Sequence, residues 1–121
     1  MRFRIKKRQL RGLIEIAASS AKDGGKEICG ILIDTGYFLE LIRLRNKIRG
    51  GGSFGFYAKE IRRVEKAASD LNYKIVGSFH SHPIYFAKPG EGDLSNPEDD
   101  DLMLIIDCME KKADLWKIKR G

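Results

Sequence analysis

The sequence is poor in histidine, cysteine, proline and tryptophan, and it has no long hydrophobic run. It contains two histidines, two cysteines, three prolines and one tryptophan among 121 residues. Every apolar run falls well short of the roughly 20 consecutive residues that a membrane-spanning helix requires. The basic segment 1–8 lacks the apolar stretch and the small-residue cleavage site of a signal peptide. We therefore expect a cytoplasmic protein with no membrane partner.

The two cysteines and the overall composition indicate a small reduced domain. Cys29 and Cys108 each lie inside an apolar run, which favours buried thiols over a disulfide, and they lack the close spacing of a zinc knuckle. With 42% hydrophobic and 33% charged residues, the composition is that of a folded globular protein with one core. We expect a single domain over residues 1–121.

Charge is distributed unevenly along the chain. The net charge is +6 although six acidic residues fall within residues 91–101. Arg43, Arg45, Lys47 and Arg49 alternate along a predicted strand and its exit, which places them on one face. That face fits two interpretations, a solvated sheet surface or a docking surface for an acidic protein or nucleic acid. Nucleic acid is disfavoured, because the sequence lacks the spaced aromatic residues of a base-stacking surface.

Hydrophobic periodicity predicts two amphipathic helices among five or so strands. Apolar residues recur at helical spacing over residues 10–21 and 61–71. Extended segments are predicted at residues 27–34, 37–45, 54–57, 75–79, 102–106 and 113–119. This order predicts an α/β or α+β sandwich.

Both histidines lie in one pentapeptide, Phe79-His80-Ser81-His82-Pro83, at the end of an apolar run that begins at Ile75. Pro83 cannot donate to a sheet ladder, so we expect it to end the strand just beyond the second histidine. Alternate residues of an extended chain project to the same face, so the imidazoles of His80 and His82 can converge on one point. Neutral imidazole is the commonest metal ligand, and zinc is its frequent partner. The pair alone is compatible with packing as well as with metal binding.

A catalytic zinc site with two histidines needs a third protein ligand and one open coordination position. Asp93 follows Gly90 and Gly92, and these glycines would let the backbone turn tightly and present the carboxylate inward. Asp99, Asp100 and Asp101 of the same acidic segment are alternatives. Their other interpretation is that they cap a following helix, whose N-terminus favours acidic residues.

Taken together, His80, Ser81, His82, Pro83 and, after ten intervening residues, Asp93 resemble the signature of the JAMM (MPN-plus) zinc metalloproteases. The resemblance covers nearly the whole chain in element order and is to the small, stand-alone prokaryotic type. It implies a mixed sheet flanked by helices, and a Zn²⁺ ion held by the two histidines and the aspartate.

The resemblance also assigns roles to residues that the sequence alone would not single out. Glu27 opens the segment Glu27-Ile28-Cys29-Gly30, which reproduces the context of the family's upstream glutamate and implies a general acid/base. Gly90 stands where the family has a serine, so a side-chain donor to the oxyanion is absent here. Ser81, between the two ligands, is expected to face away from the metal and to hold structure.

The function implied by the resemblance is that of a zinc metalloprotease or isopeptidase. It would cleave the bond after the C-terminal tail of a ubiquitin-like or sulfur-carrier-like protein. Such a tail can add as a strand to an exposed sheet edge, with Arg43 and Arg45 as candidate contacts. The alternative is a weakly active or inactive scaffold module of the same fold, which Gly90 favours. A homodimer is compatible with both functions.

Overall fold

The computed structural model describes residues 4–22, 27–48, 54–82 and 102–117. The helices are α1 (Lys7–Lys22) and α2 (Ala58–Asp70), and the strands are β1 (Cys29–Asp34), β2 (Leu39–Leu44), β3 (Lys74–His82), β4 (Leu102–Asp107) and β5 (Lys112–Lys117). They form one mixed sheet in the order β2-β1-β3-β4-β5, in which β3 and β4 run parallel and the other neighbours antiparallel. The expected mixed sheet flanked by helices is confirmed.

The two helices cover opposite faces of the sheet. Helix α1 buries Leu13 and Ala17, which belong to the same apolar cluster as Leu104 of β4. Helix α2 buries Ala68 against Ile31 of β1. Strands β1 and β4 are therefore buried on both faces, which explains why their sequences are nearly continuous apolar runs. No helix within the described ranges is long and apolar enough to cross a membrane.

One sequence-based prediction of secondary structure is wrong, and one is confirmed at the end of β3. Residues 54–57 are not a strand, because the rings of Phe54 and Phe56 pack edge to face, with centroids 5.5 Å apart, in an irregular segment that leads into α2. Strand β3 runs through His82, which agrees with the expectation that it ends at Pro83, and β1 and β4 pair with it at that end of the sheet.

Two glycines allow neighbouring strands to approach closely. A Cβ atom at Gly30 of β1 would collide with the carbonyl oxygen of Ile42 on one side and the ring of Phe79 on the other. At Gly77 of β3 it would collide with the backbone of Leu102. The absence of a side chain at these positions lets the strands that lead to the histidines pack together.

We expect Gly30→Ala to lower the free energy of unfolding by about 2 kcal/mol or more, because neither the carbonyl nor the buried ring can move aside easily. The matched control is Gly12→Ala in α1, where a Cβ atom meets nothing within 4 Å. This control should raise the free energy of unfolding by about 0.5–1 kcal/mol, since alanine favours the helix interior. Urea unfolding of the three proteins measures both effects. A Gly30→Ala protein as stable as the parent would show that the collision is absent in solution.

Candidate metal centre

The register between β1 and β3 brings Glu27 next to the two histidines. In this antiparallel pair Cys29 lies opposite His80. Glu27 precedes Cys29 by two residues and His82 follows His80 by two, so the same antiparallel register brings Glu27 opposite His82. Side chains of directly opposed residues project to the same face of a sheet, so the carboxylate and both imidazoles share one face. The sequence spacing predicted that the imidazoles converge, and the strand pairing adds the glutamate.

The three side chains form a compact and buried group. The Nε2 atoms of His80 and His82 are 2.9 Å apart, and one ligand atom from each of the three residues lies within 4.8 Å of the others. Glu27, His80 and His82 are 3%, 0% and 6% exposed. Two nitrogens bound to one zinc at about 2.0–2.1 Å lie about 3.3 Å apart. The convergence of two ring nitrogens and a carboxylate therefore fits a divalent metal ion.

Ser81 faces the opposite side of β3 and fastens the two strands. Its backbone N–H donates to the carbonyl of Ile28 at 3.0 Å, and its hydroxyl accepts from the N–H of Ile28 at 2.9 Å. The backbone N–H and the backbone carbonyl of Ile28 are thus both hydrogen-bonded to Ser81. The structural role expected for Ser81 agrees with this arrangement.

The cysteine thiols are not candidate nucleophiles. Cys29 and Cys108 are buried and form no disulfide, as expected. Burial raises the pKa of the Cys108 thiol, and the charges of Asp107 and Glu27 raise that pKa further, while a hydrogen bond with Ser81 opposes the shift. The Cys108 thiol is therefore protonated at neutral pH, and it packs beside the strand that carries the histidines.

Asn46 is a buried residue at this end of the sheet that the sequence analysis missed. Its Nδ2 donates to the carbonyl of Glu27 at 2.9 Å. Its Oδ1 accepts from the N–H groups of Ile48 at 2.9 Å and Gly55 at 3.2 Å. One amide thus joins the backbone of Glu27 to both ends of the connection between β2 and α2. The only signal in the sequence was an asparagine after a strand, which is typical of a turn.

Phe54 also contributes to the site without having been predicted to do so. Its ring stacks on the His80 imidazole, with centroids 4.5 Å apart and planes inclined by 20°. An apolar ring against a metal-binding imidazole restricts its orientation and limits the access of water. The two residues are 26 positions apart, and no local pattern connects them.

A cavity of about 550 Å³ lies beside Glu27 and is lined by basic side chains. Arg43, Arg45 and Lys47 line this cavity together with Glu60 of α2. The two arginines named from the sequence as candidate contacts, Arg43 and Arg45, therefore line a cavity to which Glu27 also contributes. Arg45 differs from the other two cations, because its Nε lies 2.9 Å from the carboxylate of Glu60.

Asp107 is a buried acid that lies opposite His82 in the parallel pair of β3 and β4. Its Oδ1 accepts from the N–H groups of Met109 at 2.9 Å and Glu110 at 3.0 Å. This carboxylate oxygen therefore stabilises the turn between β4 and β5. Four positions named from the sequence, Arg49, Pro83, Gly90 and Asp93, lie outside the described residues, as does the whole acidic segment 91–101.

Comparison with known proteins links the chain to one family and one fold. A family model described as prokaryotic homologues of the JAB domain matches residues 10–119. A protein of Desulfitobacterium hafniense, solved in solution, superposes with a TM-score of 0.80 at 23% identity and covers 98% of this chain and 86% of its own. A JAB1/MPN domain protein from Archaeoglobus fulgidus superposes with a TM-score of 0.53 at 21% identity, over 96% and 86%.

A third solved structure has the same fold. A Salinibacter ruber protein superposes with a TM-score of 0.57 at 16% identity, covering 98% of this chain and 92% of its own. At these identities the three structures support the fold alone. No curated protein matches the sequence significantly.

We expect Asn46→Asp to lower the free energy of unfolding by about 2 kcal/mol or more, because a carboxylate oxygen would replace the donor that faces the carbonyl of Glu27. Asn72→Asp is the matched control, since it makes the same change at an exposed position just after α2. The control should cost less than about 1 kcal/mol. Urea unfolding of both variants checks this, and equal losses would argue against a special role for the Asn46 amide.

Proposed function

The chain belongs to the family of prokaryotic JAB-domain homologues, and from that premise we propose that it is a zinc-dependent hydrolase of peptide or isopeptide bonds. The observation that carries the proposal is the buried group of Glu27, His80 and His82, whose ligand atoms lie within 4.8 Å of one another. Burying a carboxylate beside two imidazoles is costly unless a partner compensates. A divalent cation held by the carboxylate and the two ring nitrogens would add to that compensation.

The proposed ligands are His80, His82 and Asp93, with Glu27 outside the coordination shell. Glu27 belongs to the group of possible ligands within the described residues, so its assignment as a base rather than a ligand rests on the family resemblance. When bound, zinc lowers the pKa of a coordinated water to about 7 and polarises the scissile carbonyl. This chemistry does not require a nucleophilic side chain, in agreement with the protonated Cys108 and the turned-away Ser81.

Glu27 is suited to moving the proton. Its carboxylate belongs to the buried histidine group, and the residue is also part of the lining of the cavity of about 550 Å³ that is proposed to receive the substrate. As a general base it takes a proton from the attacking water, and as a general acid it delivers this proton to the leaving amine. The amide of Asn46 holds the backbone of Glu27 in place, which limits the positions that the carboxylate can take.

The proposed substrate is the extended C-terminal tail of a ubiquitin-like or sulfur-carrier-like protein. Strand β2 is an edge of the sheet, and an extended tail can add to such an edge through backbone hydrogen bonds. The cavity beside Glu27 has the volume of typical ligand pockets, about 300–1,000 Å³. Arg43 and Arg45 line it and are the proposed contacts. The scaffold alternative keeps the fold and the metal without turnover, and Gly90 remains the feature that favours it.

We expect the purified protein to carry about one zinc ion per chain, as a site with three protein ligands predicts. Asp93→Ala should reduce the zinc content strongly, whereas Asp99→Ala should leave it unchanged. Elemental analysis of the folded variants measures this. Loss of zinc from Asp99→Ala with retention in Asp93→Ala would show that the third ligand has been misassigned.

We expect Glu27→Gln to retain zinc and to lose hydrolysis by about 10²–10⁴-fold, the usual contribution of a general acid/base. The assay uses a panel of ubiquitin-like and sulfur-carrier-like proteins with C-terminal extensions, with chelator-treated protein as a blank. Glu65→Gln is the matched control, because Glu65 is exposed on α2 and lies outside the lining of this cavity, and it should keep most of the activity.

The outcomes separate the alternatives. If Glu27→Gln releases zinc, Glu27 is a ligand, and if the variant cleaves normally, Glu27 has no part in the reaction. If the zinc-loaded wild type cleaves none of the panel, the scaffold function becomes the better proposal.

A further inference from the structure

The exposed edge of β2 is partly occupied by the chain itself. The N–H of Leu39 donates to the carbonyl of Arg4 at 2.7 Å, and the side-chain amide of Gln9 donates to the carbonyl of Leu41 at 3.1 Å. On an edge strand, backbone groups of alternate residues point away from the paired strand. Arg43 is the next residue in this alternation. In the described part of the chain, no hydrogen bond engages its outward N–H or carbonyl.

The cations of the cavity are not equivalent. Arg45 is held by Glu60, which accepts from both its backbone N–H and its Nε, and its guanidinium lies 4.8 Å from the ring centroid of Tyr57. Arg43 and Lys47 are exposed, and neither forms an ion pair within the described ranges. The open stretch of the β2 edge therefore carries one cation available to a ligand, Arg43, and Lys47, three residues beyond the end of the strand, supplies a second in the lining of the same cavity.

We infer that this edge selects an extended acidic peptide segment, with a carboxylate side chain opposite Arg43. A peptide that adds to β2 would use the outward N–H and carbonyl of Arg43. Directly opposed residues of adjacent strands share a face, so the side chain of the peptide residue would lie beside the guanidinium. Lys47 lines the same cavity and is the second cation for the ligand. This inference rests on the proposed function and deepens it by naming the charge of the substrate segment.

A peptide fits the cavity better than a nucleic acid does. The outward backbone groups of Arg43 are complementary to a peptide backbone, which a nucleic acid lacks. Single-stranded nucleic acids are usually bound through exposed aromatic faces on which bases stack. Tyr57 is the aromatic residue in the described lining, and the guanidinium of Arg45 covers its ring.

The test compares the binding of matched peptides to the full-length protein as purified. The probe is a fluorescein-labelled decapeptide of alanine and threonine with glutamate at every second position, and the matched probe has glutamine there. Fluorescence anisotropy at low ionic strength should show about fivefold tighter binding of the glutamate peptide. Raising the ionic strength to about 0.15 M should reduce the difference. Mass spectrometry of the recovered peptide reports cleavage separately from binding.

Two double variants of equal charge change locate the binding surface. Arg43→Gln/Lys47→Gln should abolish the preference for glutamate. Lys112→Gln/Lys117→Gln removes two exposed cations from β5 at the opposite edge of the sheet and should leave the preference intact.

Three results would overturn the inference: equal binding of the two peptides, an equal loss in both double variants, or tighter binding of a labelled oligothymidine that depends on Arg43. A charge preference without cleavage of any substrate would support the inference while counting against the proposed hydrolase. Cleavage without a charge preference would support the proposed hydrolase and count against the inference.

Discussion

The candidate site depends on the pairing of β1 with β3 at a single point, the two hydrogen bonds between Ile28 and Ser81. One bond is an ordinary backbone bond, and the other uses the serine hydroxyl in place of a backbone carbonyl. Together they hold the pairing in register beyond Cys29, where β1 formally begins. A slip of one residue would turn Glu27 to the opposite face from the histidines. The hydroxyl of Ser81, on one face of the sheet, therefore helps to keep Glu27 beside the two histidines on the opposite face.

The surrounding contacts extend this constraint to the rest of the site. Gly30 allows β2 and the ring of Phe79 to approach β1 closely, which places the cationic end of β2 near Glu27. Asn46 then joins the backbone of Glu27 to the connection between β2 and α2. Through these contacts the group of Glu27, His80 and His82 and the adjoining cavity belong to the same end of the sheet.

The elements with strong local patterns could be predicted from the sequence, and so could the convergence of His80 and His82. Glu27 could be named only through the family resemblance, because its position beside His82 arises from strand pairing between residues 55 positions apart. Phe54 and Asn46 were missed for the same reason, since a ring stacked on an imidazole and an amide bound to a distant carbonyl leave no local pattern. The wrong strand at residues 54–57 shows that aromatic content alone cannot distinguish a strand from a packed irregular segment.

Glu27, His80 and His82 present a local conflict with stability. A buried carboxylate and two buried imidazoles at the end of a sheet cost free energy that apolar residues of similar size would not. An ion that binds the folded chain returns stability in proportion to its affinity, about 4 kcal/mol at a concentration a thousandfold above its dissociation constant. Such a return is large beside the whole stability of a domain of this size, about 5–15 kcal/mol. A binding site for a cation requires polar groups that destabilise the fold when no ion is bound and stabilise it when one is. The burial that makes these groups costly also keeps water from competing for the ion.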